Sequence, residues 1–132
     1  MQDPGKRQIV FINAAHTLNH YGLLILATAV LGMVQQAPEA FGRDYGPILA
    51  LGTAMFVLYG LGALPMGWLA ERVGRRALLA VFFIGCGVAL LALAAVSSAT
   101  ALAAWLLVLG VFSAIYHPIG SAMLVSHARR LG

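Results

Sequence analysis

Charged residues and cysteine are both scarce in this sequence. Of its 132 residues only 9% are charged, with eight Lys and Arg against four Asp and Glu, while 61% are hydrophobic. A soluble domain carries about 25% charged and about 45–50% apolar residues, so the composition excludes an ordinary soluble domain. It also excludes a disordered chain, which requires low hydrophobicity. The single cysteine excludes an intrachain disulfide and a CxxC motif.

The motifs of soluble enzymes are absent as well. The sequence contains no phosphate-binding loop, no HExxH and no nucleophile elbow. We therefore expect that the protein is not an enzyme and has no cofactor or resident metal. The net charge of +4 does not indicate nucleic acid binding, because the basic residues lie in short clusters between apolar runs.

Four long apolar segments are present, at about 9–34, 46–70, 77–98 and 101–126. A membrane span requires about 20 apolar residues. Because backbone groups in hydrocarbon must bond internally, each segment is expected to be an α-helix. The sequence thus predicts an all-α, polytopic membrane protein, with residues 1–132 as one transmembrane unit in contact with the lipid bilayer.

The positive charges are distributed unequally between the two ends of these spans. Seven of the eight Lys and Arg lie at the N-terminus, at 71–76 or near the C-terminus, and one lies at 35–45. Loops rich in Lys and Arg stay on the cytoplasmic side. We therefore predict a multi-pass protein of the bacterial inner membrane with both termini in the cytoplasm.

Small residues and prolines interrupt the apolar runs. Pro65 and Pro118 each lack a backbone donor inside a span, which predicts kinks. Small residues four apart favour close helix contact, and they occur as three pairs: Ala63 and Gly67, Gly85 and Ala89, Gly110 and Ala114.

A polar stripe runs along the first span. Asn13, His16, Thr17 and His20 are spaced by three and four residues, so they share one helix face. Such a stripe avoids lipid and is expected to face other helices or a wet cavity.

The fourth span carries a histidine at a similar depth. At about 1.5 Å per residue, His16 lies about 10 Å from Ile9, and His117 lies about 12 Å from Val125. Both depths fall in the cytoplasmic half, so we predict that the two spans meet there. The other interpretation is a packed histidine bonded to a carbonyl or hydroxyl group. The predicted substrate or proton pathway consists of Asn13, His16, His20, Tyr116 and His117.

The connection between the second and third spans has a definite order. Gly74 permits a tight turn, and the arginines can meet lipid phosphates. Glu71 can pair with a neighbouring arginine or meet a helix N-terminus. The residues of this loop motif are Gly67, Glu71, Arg72, Gly74, Arg75 and Arg76.

This loop resembles the G-x-x-x-D-R-x-G-R-R loop of the major facilitator superfamily of secondary transporters. Glu71 replaces the usual Asp, and Leu78 stands where a further basic residue is often found. The resemblance covers all four spans in order. Through His16-x-x-x-His20 and Tyr116-His117-Pro118, the sequence also resembles the branch that includes fosmidomycin-resistance-type drug exporters.

The resemblance implies a fold of two six-helix halves with alternating access to a midplane site. By resemblance, the first and fourth helices line the cavity, while Glu71, Arg72 and Arg75 contact a helix of the other half. We therefore expect an N-terminal part of a transporter for a small molecule, truncated at Gly132, with the C-terminal half of the same protein as its partner. Proton coupling through a histidine, which titrates near pH 6.5, and uniport are both open mechanisms.

Two alternatives belong to other classes. One is a complete four-span exporter that dimerises, although such exporters carry a first-span glutamate that this sequence lacks. The other is a haem-binding membrane cytochrome, since histidines on facing helices can ligate iron. No histidine ladder at two depths supports the cytochrome.

Overall fold

The computed structural model describes residues 4–131, and describes side chains from residue 5 to residue 126. In that part the chain forms seven α-helices and no strand. The helices are α1 (Pro4–Gln36), α2 (Pro38–Phe41), α3 (Tyr45–Ala50), α4 (Thr53–Val73), α5 (Arg75–Ala94), α6 (Ala99–Ser113) and α7 (Tyr116–Leu131).

Four stretches of these helices are long and apolar enough to cross a bilayer: Gly5–Gln36, Tyr45–Val73, Arg75–Ala94 and Ala99–Ser126. This confirms the prediction of an all-α, polytopic protein with four transmembrane helices. The third stretch ends at Ala94, earlier than the end near 98 expected from hydropathy. α6 then begins at Ala99, where the Ser98 hydroxyl accepts a hydrogen bond from the Ala101 N–H (3.2 Å) and caps the helix.

The first connection is short and partly helical. α1 stops one residue before Ala37, which precedes Pro38 and therefore avoids helical backbone angles. Gly42 ends α2 at a φ of 94°, with its N–H bonded to the Pro38 carbonyl (2.8 Å). The Tyr45 hydroxyl then donates to the Ala27 carbonyl (3.1 Å), which ties the start of the second span to α1.

Two of the four spans are interrupted. The second breaks at Leu51–Gly52, where a Cβ on Gly52 would lie 2.6 Å from a methyl carbon of Leu26. The fourth breaks at Ala114–Ile115. Pro118 explains this position, because it has no N–H for the Ala114 carbonyl and its ring crowds that group. The predicted distortion at Pro118 is therefore a break about one turn earlier, whereas α4 continues through Pro65.

Small residues lie where the helices approach closely. Four of those predicted for helix contact are buried: Gly85, Ala89, Gly110 and Ala114. A Cβ on Gly110 would lie 2.6 Å from the Met55 carbonyl oxygen of α4, and one on Gly85 would overlap the Phe112 ring of α6. The backbones of α4 and α6 can therefore touch only because Gly110 has no side chain.

Within residues 5–126, the buried side chains form two cores along the spans. One core, near the loop at Gly74, includes Phe82, Ile115 and Ile119. The other, towards the opposite ends of the helices, includes Val30 and Met55. Large apolar side chains elsewhere stay exposed, as expected for a surface that contacts acyl chains.

The Gly110 contact predicts that a glycine-to-alanine substitution lowers stability more at Gly110 than at Gly87. We expect Gly110→Ala to destabilise the fold by roughly 1–3 kcal/mol, because its methyl group meets the Met55 backbone. Gly87→Ala is the matched control, since nothing lies within 4 Å of a Cβ at Gly87. Thermal unfolding in detergent, monitored by gel filtration, measures the stability of both variants. Equal unfolding midpoints would contradict the close contact.

Candidate functional site

Three histidines from two spans form one cluster. His16 and His20 lie one turn apart on α1, and His117 lies in the first turn of α7. The ring centroids of His16 and His20 are 4.7 Å apart, and that of His117 is 5.4 Å from His16 and 5.5 Å from His20. One nitrogen of each ring lies within 4.8 Å of the others. The structure thus brings together the first and fourth spans at the level expected from their depths.

Tyr116 fixes the position of α7 beside α1. Its side chain is buried, its ring lies 5.3 Å from that of Phe82, and its hydroxyl donates a hydrogen bond to the Ile12 carbonyl. The ring also lies 5.6 Å from His16. Tyr116 therefore borders the histidine cluster from the core side and anchors the helix that carries His117.

Asn13 lies outside the cluster. Its amide donates to the Ile9 carbonyl (3.0 Å), and the Thr17 hydroxyl donates to the Asn13 carbonyl (3.1 Å). Each of these side chains thus donates one hydrogen bond within α1, as is common for such residues in helices. Asn13 and His16 are exposed, while His20 and His117 are half-buried. The polar stripe consequently lies on a surface that no described helix covers.

The structure adds two neighbours that the sequence reasoning did not select. The ring of Tyr59, on α4, lies 5.3 Å from His117 and 6.4 Å from His20. Its hydroxyl lies close to the Asn19 side chain, but the two do not meet hydrogen-bond geometry, and both are buried without a partner. Unsatisfied buried polar groups are costly and call for an explanation. In the sequence, the polar Asn19 next to His20 indicates a polar group near the cluster. No neighbouring residue or spacing indicates that Tyr59 lies there.

The loop between the second and third spans is a tight turn at Gly74. Its φ of 96° suits glycine alone, and its N–H bonds to the Ala70 carbonyl (3.1 Å) at the end of α4. Glu71 and Arg72 lie in the last turn of α4, and Arg75 begins α5. The residues from 71 to 77 are all exposed.

The motif residues have different environments. A Cβ on Gly67 would lie 3.4 Å from the Cβ of Pro118, so this glycine marks the contact of α4 with α7. The Arg72 guanidinium lies 3.7 Å from the centre of the Trp68 ring, a cation–π contact. Glu71 forms no ion pair within the described part of the chain.

A comparison with protein families identifies this arrangement. The sequence model of the Major Facilitator Superfamily matches residues 11–130, which include the three histidines and the whole loop motif. The chain belongs to the major facilitator superfamily. Among curated proteins and solved structures there is no significant match.

Membership of the superfamily confirms the resemblance seen in the loop. The superfamily consists of membrane transporters, so the protein is a multi-pass transporter of this family, in agreement with the expectation that it is not an enzyme. The match supports neither alternative, the dimerising exporter or the haem-binding cytochrome. The assignment to the fosmidomycin-resistance branch stays a prediction.

The Tyr116 anchor predicts a measurable loss of stability. Tyr116→Phe removes the bond to Ile12 but keeps the buried ring, and we expect it to cost about 0.5–1.5 kcal/mol. Tyr21→Phe is the control, because Tyr21 is 65% exposed. Thermal unfolding in detergent measures both variants; a Tyr116→Phe protein as stable as Tyr21→Phe would refute the anchor.

Proposed function

We propose that the protein forms part of a secondary active transporter that moves a small molecule by alternating access. In this proposal, the surface carrying His16, His20 and His117 is a wall of the substrate cavity. The observation that carries it is the convergence of these histidines, from two spans, on an uncovered surface of a membrane transporter.

The cost of polar groups in lipid supports a cavity at this surface. Asn13, His16 and Thr17 are exposed along one side of α1. Polar side chains in a span face protein or water rather than acyl chains. A water-filled cavity closed by the remaining helices of the same fold satisfies this requirement, and by resemblance the first and fourth helices line that cavity. A C-terminal half of the same fold, as the resemblance implies, is therefore the proposed partner.

The interruption of the fourth span gives independent support. The break at Ala114–Ile115 directly precedes Tyr116 and His117. Discontinuous helices are typical of substrate and ion sites near the bilayer midplane in secondary transporters.

The loop motif supports a gate on the cytoplasmic side. Arg75 and Arg76 lie at the positive end of the α5 dipole, which disfavours them. An acidic group or phosphate outside these four spans would offset that repulsion. We propose that Glu71, Arg72 and Arg75 contact a helix of the other half in one conformational state.

The same residues support two finer proposals, one on proton coupling and one on the branch of the superfamily. Imidazole can carry a proton between partners, so proton coupling within these spans would use His16, His20 or His117, whose rings lie in contact at the cluster. The His16-x-x-x-His20 and Tyr116-His117-Pro118 patterns favour a drug exporter of the fosmidomycin-resistance type. Its membrane is the bacterial inner membrane.

The orientation predicts which engineered cysteines react from each side. In a Cys86→Ser background, a membrane-impermeant maleimide added to intact spheroplasts is expected to label Ser97→Cys but not Arg76→Cys. Both positions are exposed, so access depends on the membrane side alone. Permeabilised spheroplasts are the control and expose both cysteines. Labelling of Arg76→Cys first would reverse the proposed topology.

The cavity proposal predicts a loss of transport without the histidines. The protein is expressed from its whole reading frame, and the cells are screened with antimicrobial compounds that include fosmidomycin. The compound whose cellular accumulation changes most becomes the assay substrate. We expect His16→Ala and His117→Ala each to lower the transport rate about tenfold, equivalent to about 1.4 kcal/mol. His127→Ala is the control, since His127 lies outside the predicted pathway. Wild-type rates in both variants would exclude the histidines from the mechanism.

A further inference from the structure

We propose that His16, His20 and His117 bind a divalent transition-metal ion, with a fourth coordination position open to an anionic ligand. As a statement about binding, the inference stands on the geometry of the cluster. As a statement about substrate, it rests on the proposed function and implies that the cavity accepts a metal ion together with a small anion.

The three nitrogens are close to coordination distance. They lie within 4.8 Å of one another. Nitrogens bound to zinc at about 2.0–2.1 Å in a tetrahedral arrangement are about 3.3 Å apart. The remaining gap of at most about 1.5 Å is within reach of rotations about χ2, which has broad minima in histidine. His16 and His20 already share a helix face, so only His117 must come from a different element.

The kind of ligand restricts the kind of ion. Imidazole suits zinc, copper, iron and nickel, whereas magnesium and calcium prefer oxygen. Three protein ligands with one free position are typical of zinc sites that exchange a ligand, while structural sites are closed by four. His16 is exposed, so the free position at the cluster opens onto the uncovered surface.

Tyr59 and Asn19 place polar atoms beside the cluster. A metal-bound imidazole donates its other N–H to an acceptor, which fixes the ring orientation. Tyr59, beside His117 and His20, has a buried hydroxyl without a partner, and the neighbouring Asn19 amide lacks one too. The Tyr116 bond to Ile12 holds α7 in place, so the third ligand is positioned in advance.

Charge explains why an anion is needed. The histidines make ring contacts with one another and with Tyr59 and Tyr116, and none of these side chains carries a negative charge at neutral pH. A divalent ion held by three neutral imidazoles would keep its double charge within the membrane, which is unfavourable. Coordination of an anion at the free position lowers that charge.

Cobalt is a suitable probe, because it reports its coordination through visible absorption. Purified, metal-free protein with its affinity tag removed is titrated with Co²⁺ in detergent. We expect one equivalent to bind, and His20→Ala and His117→Ala each to weaken binding at least about tenfold, the loss typical of damage to a metal site. His127→Ala is the matched control and is expected to bind as wild type. Sodium azide is expected to shift the absorption bands by occupying the free position.

Folding is checked separately for each variant. The unfolding midpoint of the wild type is expected to rise with Ni²⁺, whereas His16→Ala, folded by gel filtration, shows no rise. Absence of stoichiometric Co²⁺ binding, or unchanged affinity in His117→Ala, would overturn the metal site. A spectrum insensitive to azide would overturn the open position.

The transport assay and the metal-binding assay test separate claims. If Co²⁺ binds but His16→Ala and His117→Ala transport normally, the site stands and the proposed cavity is wrong. If transport falls in both variants while the wild type binds no metal, the cavity stands and the metal inference is wrong.

Discussion

Polar groups cannot face the hydrocarbon of a bilayer without cost, and this constraint operates at every level of the structure. It requires the backbone to form helices, and it restricts the interruptions of those helices to protected places. The breaks at Gly52 and Ala114 are both buried, one against Leu26 of α1 and the other within the bundle. The same constraint indicates that the stripe of exposed polar side chains on α1 faces protein or water, because polar side chains are unfavourable in contact with lipid.

A single side-chain hydrogen bond connects this constraint to the histidine cluster. Tyr116 donates to the Ile12 carbonyl from within the core, and the adjacent His117 turns towards the open surface. Core packing on one side of α7 therefore determines which side chains meet on the other. The break at Ala114–Ile115 lies directly before Tyr116, so α7 begins as a separate helix at the residue that anchors it.

Much of the fold and part of the site could be predicted from the sequence. The four spans follow from the length of apolar runs, and the turn at Gly74 follows from its loop motif. The shared level of His16 and His117 follows from the helical rise. The start of α6 at a Ser98 cap and the role of Tyr116 as an anchor did not follow, because a serine cap and a contact across about a hundred positions leave no trace in hydropathy.

The sequence by itself determined that the protein lies in a membrane, has four helical spans and carries a loop motif of the superfamily, because composition, charge and local order are properties of the chain. The tertiary structure alone decided that His20 and His117 meet beside Tyr59, and that three histidines come within reach of one ion. No spacing along the chain predicts a metal ligand set here, since its third member arrives from another helix. Packing of α1, α4 and α7 brings these residues together.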